Sequence, residues 1–345
     1  MQDNLKTLDR YIYEALYDKK IGYYTNNVPF GKKGDFITSP YISILFSEMI
    51  CIWCILFWKF LNCPKKFNII ELGAGDGKMM YQIINSCKKF KTFNRSTNFF
   101  IIEKSENLIK IQRKKLKGLN VKWVKSFKEL KNNNCLFLGN EFLDAFPIKQ
   151  FEKKNSTWFE KYVQENTIAN KVKNIKVNLK KYEKKVGFKF YENQTFIEIS
   201  LDQIKLLKKI SSHINKVKGG LLFFDYGYSE QQMYNTLQSV KKHKKVNFLE
   251  DKGNIDITHL VNFSLLKKIL ILNNLKINGF TSQKKFLEKL GIFARAEILS
   301  KNMKFLKKAD LYYRIKRLTD EKGMGNQFKV IFASSNKINF NYGFD

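Results

Sequence analysis

The segment Glu71-Leu72-Gly73-Ala74-Gly75-Asp76-Gly77 constrains this chain more than any other. Ahead of it, Phe67-Asn68-Ile69-Ile70 is a short apolar run of the kind that forms a buried strand. Behind it, Met79, Ile83, Ile84 and Cys87 fall at helical spacing within 78–90. A strand, a tight glycine turn and a helix start together bring bare backbone against a nucleotide-like ligand. Glu71, at the strand end, is placed to hold a positive or hydroxyl-bearing part of that ligand. Three glycines in five residues also occur in ordinary turns, so the neighbourhood has to decide. Phe99-Phe100-Ile101-Ile102-Glu103 reads as a second strand ending in a carboxylate. In a doubly wound sheet that acid lies beside the first turn, where ribose hydroxyls bind. The 28 residues from Gly75 to Glu103 exceed the dinucleotide spacing, which is about twenty. The alternate glycines also depart from GxGxxG. The turn suits S-adenosylmethionine better, because that cofactor has no pyrophosphate to cradle.

From residue 67 onward strands and helices alternate, the pattern of a parallel α/β sheet. Residues 121–124 read as a third strand, 135–139 as a fourth, 220–225 as a fifth, and 328–332 as another. Residues 1–65 read as an N-terminal helical lobe broken by the loop 28–40, whose two prolines and two glycines preclude regular structure. Residues 66–151 form the first half of the main domain and 195–345 the second. Between them, 152–194 is rich in lysine and asparagine with short strand-like pieces, and reads as an inserted surface element.

The 345 residues, 44% of them hydrophobic, suffice for one large domain or a domain with an added lobe. The formal charge of +32 invites a nucleic-acid reading. Only six of the 63 basic residues are arginine, however. Bidentate recognition of phosphates and bases favours arginine, whereas lysine suits a solvated surface. Lysine enriched together with Asn, Ile, Phe and Tyr is the profile of a genome-wide bias, so nucleic acid is the less favoured partner. Five cysteines with no framework and no evident leader point to a reducing cytosolic setting. Cys51 and Cys54 form a CxxC inside an apolar run, Met49 to Trp58, and read as two buried small hydrophobes. That run has ten residues, where a membrane span needs about twenty. It reads as a core helix.

The fourth strand ends in Gly139-Asn140-Glu141-Phe142-Leu143-Asp144. Ligands of open α/β sheets bind at the carboxyl ends of strands, which turns Asn140, Glu141 and Asp144 toward the crevice. Two carboxylates at this spacing suit a cationic acceptor, above all a guanidinium held by paired hydrogen bonds. The plain alternative is a solvated loop with a helix cap. The four prolines rule out the Pro-Pro-aromatic motif of adenine and glutamine amino-methyltransferases, and the lack of a Pro-Cys pair argues against the covalent cytosine C5 route. His213, His243 and His259 are too few and scattered for a metal site or a triad. His213 reads as a helix-surface residue and His243 as solvated. His259, after Asp256-Ile257-Thr258, is the one most suited to a function.

Several segments, in order along the chain, resemble the MidA family of S-adenosylmethionine-dependent methyltransferases, which includes the mitochondrial complex I assembly methyltransferase. They are Gly22-Tyr23-Tyr24, Gly34-Asp35-Phe36-Ile37-Thr38-Ser39-Pro40, the Glu71–Gly77 turn, Ile102-Glu103-Lys104-Ser105 and Asn140 to Pro147. Asp225-Tyr226-Gly227-Tyr228, Asp256-Ile257-Thr258, Val261-Asn262-Phe263, Thr281-Ser282-Gln283 and Met324-Gly325 continue the series. This chain departs from the family at Ala74 (usually Pro), Tyr41 (usually Glu), Ser47 (usually Gly), Asn262 (usually Asp) and Asn247-Phe248 (usually Asp-Pro). The resemblance implies an α/β, Rossmann-like class I methyltransferase fold. Its seven-stranded, mostly parallel sheet carries helices on both faces, an N-terminal helical lobe and a central insertion. It implies S-adenosylmethionine as cofactor, no metal, and a protein arginine as acceptor in a subunit of respiratory complex I or its bacterial counterpart.

Under that resemblance Gly73, Gly75 and Gly77 admit the methionine end of the cofactor. Glu71 faces its ammonium, Glu103 its ribose and Ser126 with Phe127 its adenine, while Asn140 is a further contact. Glu141, Asp144 and Asp35 orient the arginine. A bacterial cytoplasm or a mitochondrion without a clear transit peptide is the implied setting, and a homodimer stays open. Two rivals remain: an RNA methyltransferase, and a non-catalytic assembly factor that keeps the fold.

Overall fold

The structure is a computed structural model that describes residues 4–27, 37–166, 169–241 and 244–344. It divides into two compact units, each assembled from three stretches of chain. One comprises Val28–Phe142, Ile210–Gly227 and Leu270–Asp345; the other comprises Met1–Asn27, Leu143–Lys209 and Tyr228–Ile269.

Among the described residues the main path of the first unit's sheet runs through seven strands: β1 Phe67–Leu72, β2 Thr97–Ile102, β3 Val121–Trp123, β4 Asn134–Asn140, β5 Gly220–Tyr228, β6 Leu275–Ser282 and β7 Phe328–Ser335. They lie in the order β3-β2-β1-β4-β5-β7-β6. β1 through β5 are mutually parallel, and β7 runs antiparallel to both of its neighbours. All six residues of β1 are buried, as befits a parallel strand covered on both faces. Helix α1, Ile44–Phe60, covers part of this sheet. It is apolar nearly all round and so is buried nearly all round. Cys51 and Cys54 are fully buried within it, and the Cys51 sulfur lies 3.3 Å from that of Cys87 rather than facing a metal set. Helix α2, Lys78–Cys87, follows the glycine turn, and α3, Glu106–Lys115, follows β2 with Ser105 capping Leu108 N–H. This is the mostly parallel α/β sheet with packed helices expected from the sequence.

In this unit three details differ from expectation. β6 has no clear sequence signature, because Lys276, Asn278 and Gly279 interrupt its apolar pattern; pairing with β7 defines it. Within the 28–40 loop, residues 28–36 lie outside the described residues, but Ser39–Ile42 is a short helix with Pro40 in its first turn. Proline is tolerated there, where its missing N–H is not needed. His213 is buried, not on a helix surface. It sits edge-on to Phe137 at 5.8 Å and beside Phe127 at 6.1 Å, and burial lowers its pKa.

The second unit holds a five-stranded sheet. Asn4–Thr7 pairs antiparallel with Thr157–Glu165, which also pairs with Lys149–Lys154 and Lys171–Lys176; Phe196–Ile199 pairs with Lys149–Lys154. The sequence predicts a helical N-terminus, yet its first described residues, Asn4–Thr7, form a strand. Residues 4–27 group with 143–209 and 228–269 in this unit. Leu8, Tyr11, Ile12, Leu16 and Tyr23 pack with Ile148, Val163, Ile255 and Ile257 to form this unit's core.

Candidate active site

The parallel strands place their carboxyl ends on one edge of the sheet. Register sets Leu72 beside Ile102 and Gly139, and Asn140 beside Phe224, so Glu71, Glu103, Asn140 and Asp225 all lie at that edge. Next to β1 the order turns outward on both sides, the switch point where α/β sheets bind ligands.

The glycine turn is left-handed at three positions, with φ of +59° at Gly73, +54° at Gly75 and +84° at Gly77. Gly73 is confined twice over, since a Cβ there would stand 2.6 Å from Cδ2 of Phe142. Any side chain would strain the backbone and collide with that ring. The turn is fastened from several directions. Gly73 N–H donates to Ile102 C=O at 3.0 Å, and Gln112 Nε2 donates to Gly75 C=O at 2.8 Å. Gln112 also reaches Glu103 Oε2 at 3.2 Å and accepts from Trp123 Nε1 at 2.8 Å. It thus ties the turn, the β2 acid and β3 together. The sequence reading missed it, and its only signal was a polar residue one turn beyond Leu108 on the buried side of α3.

Three carboxylates surround the turn. Glu71 is buried and its Oε2 has no partner among the described residues. Burial, with Asp76 and Glu103 nearby, raises its pKa to about 8. Burial also raises Glu103, against the pull of bonds from the Lys104 and Ser105 N–H groups to its Oε1. Asp76 Oδ2 accepts from the Tyr41 hydroxyl and pairs with Lys115, and both Lys78 and Lys115 lie over the Tyr41 ring. Tyr41 therefore braces the turn.

Beyond β4, Glu141 adopts φ +51°, a conformation unusual for a residue with a Cβ and a sign of local strain. Its N–H donates to Phe224 C=O at 2.9 Å, while its Oε1 accepts from Asn140 Nδ2 at 3.0 Å and Ser39 N–H at 3.3 Å. Buried Asp225, another residue without an assigned role from sequence, accepts from Phe142 N–H at 3.1 Å and holds that turn in place. Asn140 Oδ1 is buried with no partner among the described residues.

The remaining sequence candidates are placed as follows. Ser126 caps the short turn Phe127–Glu129 in a reciprocal capping box with Glu129, and Phe127 packs on Phe137 of β4 at 5.6 Å. Asp144 belongs to the second unit, where it is buried and its C=O accepts from His259 N–H at 3.1 Å. In that unit Tyr24 donates to Asp256 at 3.0 Å, and His259 Nδ1 lies 3.1 Å from Leu260 C=O with Nε2 buried. Asn262 caps Leu265 N–H at 2.9 Å, a task its oxygen performs as an Asp would. Asp35 and His243 lie outside the described residues.

A family model for S-adenosyl-L-methionine-dependent methyltransferases matches residues 49–281. The chain belongs to this family. It is 30% identical over 316 residues to the mitochondrial protein arginine methyltransferase NDUFAF7 homologue of Caenorhabditis elegans, covering 83% of this chain and 73% of that one. To the Danio rerio protein arginine methyltransferase NDUFAF7 it is 27% identical over 345 residues, covering 92% and 81%. A crystal structure from Burkholderia thailandensis, bound to S-adenosyl-homocysteine, shares the fold with a TM-score of 0.82 at 22% identity, covering 99% of this chain and 89% of that one.

The methyltransferase's cofactor is S-adenosylmethionine, and the residues present fit it. Its sulfonium and ammonium are cationic and its ribose offers hydroxyls. The edge supplies a buried, unpartnered Glu71 oxygen, an unpartnered Asn140 oxygen, a second acid at the end of β2, and a backbone cradle that excludes side chains. A cation entering beside Glu71 would favour its charged form, which burial now disfavours.

Proposed function

We propose that this methyltransferase acts on a protein arginine, in a subunit of respiratory complex I or its bacterial counterpart. Two relatives that share most of their length with the chain carry the name protein arginine methyltransferase. The observation that carries the reading in the structure is Glu141, a carboxylate held in strained backbone at the carboxyl edge and fixed by two hydrogen bonds.

When bound, the cofactor supplies a methyl group on an already activated sulfonium. The protein's task is alignment and exclusion of water. A guanidinium is protonated at any ordinary pH and is a poor nucleophile. In this reading Glu141 accepts hydrogen bonds from the guanidinium, fixes the plane of the attacking nitrogen and would take the proton that nitrogen must release as it gains the methyl. Asp144 is the second acid the sequence supplies, and Asp35 the third. Gly73, Gly75 and Gly77 admit the methionine portion and Glu71 takes its ammonium. Glu103 takes the ribose, and Ser126 with Phe127 border the adenine.

The test is incubation with labelled S-adenosylmethionine and an extract of cells lacking the protein, followed by fragmentation mass spectrometry. Label on arginine of a protein supports the reading. Label in RNA supports the RNA methyltransferase rival, and cofactor binding without any transfer supports the assembly-factor rival. With the acceptor in hand, Glu141→Gln should leave cofactor affinity unchanged and slow transfer about a hundredfold or more. Transfer at full rate would remove Glu141 from the mechanism.

A further inference from the structure

The connection from β6 to β7 leaves and rejoins the sheet at its carboxyl edge and carries three longer helices, α4 Gln283–Lys289, α5 Ile292–Ser300 and α6 Phe305–Thr319, followed by the single turn Met324–Gln327. Its inner side is well fastened. Ile292, Ala296, Ile315 and Leu318 are buried, Arg295 Nε bonds Glu48 at 2.8 Å, and Gln283 Nε2 donates to Leu318 C=O at 2.9 Å. The tip between α5 and α6 is the opposite. Phe305 and Leu306 are 81% and 80% exposed, with Ile298 and Met303 also uncovered. Every residue from 301 to 310 is exposed. Among these stand Lys301, Lys304, Lys307 and Lys308, and the one acid, Asp310, is paired with Arg314.

Two adjacent large apolar side chains left this far in water exceed the scattered exposure normal for a soluble surface. A wedge of Phe, Leu, Met and Ile ringed by lysines matches the boundary of an anionic bilayer. The apolar groups reach the acyl region while lysine stems lie along it and their ammonium groups meet the phosphates. We propose that the α5–α6 tip is a docking site for an anionic lipid surface. No described helix is long and apolar enough to cross a membrane, so attachment is interfacial.

A net charge of +32 favours adsorption to any anionic surface, so the test must separate insertion from adsorption. The intact protein is floated with phosphatidylglycerol-containing vesicles and with phosphatidylcholine alone. The Phe305→Ser/Leu306→Ser pair, which leaves charge untouched, should weaken binding to the anionic vesicles about a hundredfold, near tenfold for each side chain. Cofactor binding should not change. Lys65→Glu/Lys66→Glu, exposed lysines elsewhere in the unit, should bind nearly as before. Phe305→Trp fluorescence should be quenched by brominated acyl chains. Equal binding by the Ser pair, or absence of quenching, overturns the proposal in favour of plain adsorption. Self-association of the intact chain that the Ser pair abolishes, without vesicle binding, overturns it in favour of a second copy.

Discussion

Trp53 and Glu14 both join segments far apart in the chain, and they do so by opposite physics. Trp53 is fully buried in the parallel unit, stacked on Phe57 and edge-on to Phe332 at 4.8 Å and Phe340 at 5.2 Å, with its Nε1–H on Tyr342 C=O at 2.8 Å. Glu14, in the antiparallel unit, shares Lys6 and Lys252 with Glu165, at distances from 2.5 to 2.9 Å. That ring of four charges takes one or more members from each of the unit's three chain segments. One unit is assembled by burying rings, the other is stitched by ions over a smaller apolar core. The first device leaves a visible mark in sequence. The second does not, because its lysines look like any others in a lysine-rich chain.

The largest expected difference is in pH response. Glu71, raised to about 8 by burial and its acidic neighbours, binds its proton more tightly when folded. The cofactor-free parallel unit therefore loses stability as pH rises from about 4.5 to about 8, at up to about 1.4 kcal/mol per pH unit. Glu14 has the opposite sign. Burial opposes its charge, but bonds from Lys6, Arg10 and Lys252 prevail and hold it at about 2. Its contribution is present above about 4.5 and is lost as pH falls toward 2. Hydrogen exchange resolved by unit should show the parallel unit tightening on mild acidification and the antiparallel unit loosening only in strong acid. Glu71→Gln should flatten the first response alone.

Trp53→Ala should cost about 3–5 kcal/mol by urea unfolding, through the lost rings and the cavity left behind. Glu160→Ala should cost about 3 kcal/mol, because it removes one carboxylate from Lys149, which is buried with Nζ 2.7 Å from Glu160 and 2.8 Å from Asp9. Glu14→Gln should cost only about 1 kcal/mol, and high salt should erase most of it, since that ring is partly exposed. If Glu14→Gln proved as severe as Trp53→Ala, the contrast between the two units would collapse.

Legibility follows the same division. The β1 strand, the glycine turn and the acid ending β2 are local features, and each could be read from a handful of consecutive residues. β6 could not, because it alternates poorly and exists through its pairing with β7. Asn4–Thr7 is four residues long and becomes a strand only beside Thr157–Glu165. At the site, the turn and Glu141 were legible as motif and strand end. Gln112, Asp225 and the Tyr41–Asp76–Lys115 brace were not, since they act through contacts between distant segments.

The most direct measurement is calorimetric titration of S-adenosylmethionine into the intact protein and into Gly73→Val, with circular dichroism confirming that both are folded. Binding by the intact protein that disappears in Gly73→Val is the predicted result, because the valine would strain a left-handed backbone and displace the Phe142 ring. Undiminished affinity in the folded variant would contradict the assignment of the glycine turn as the cofactor cradle.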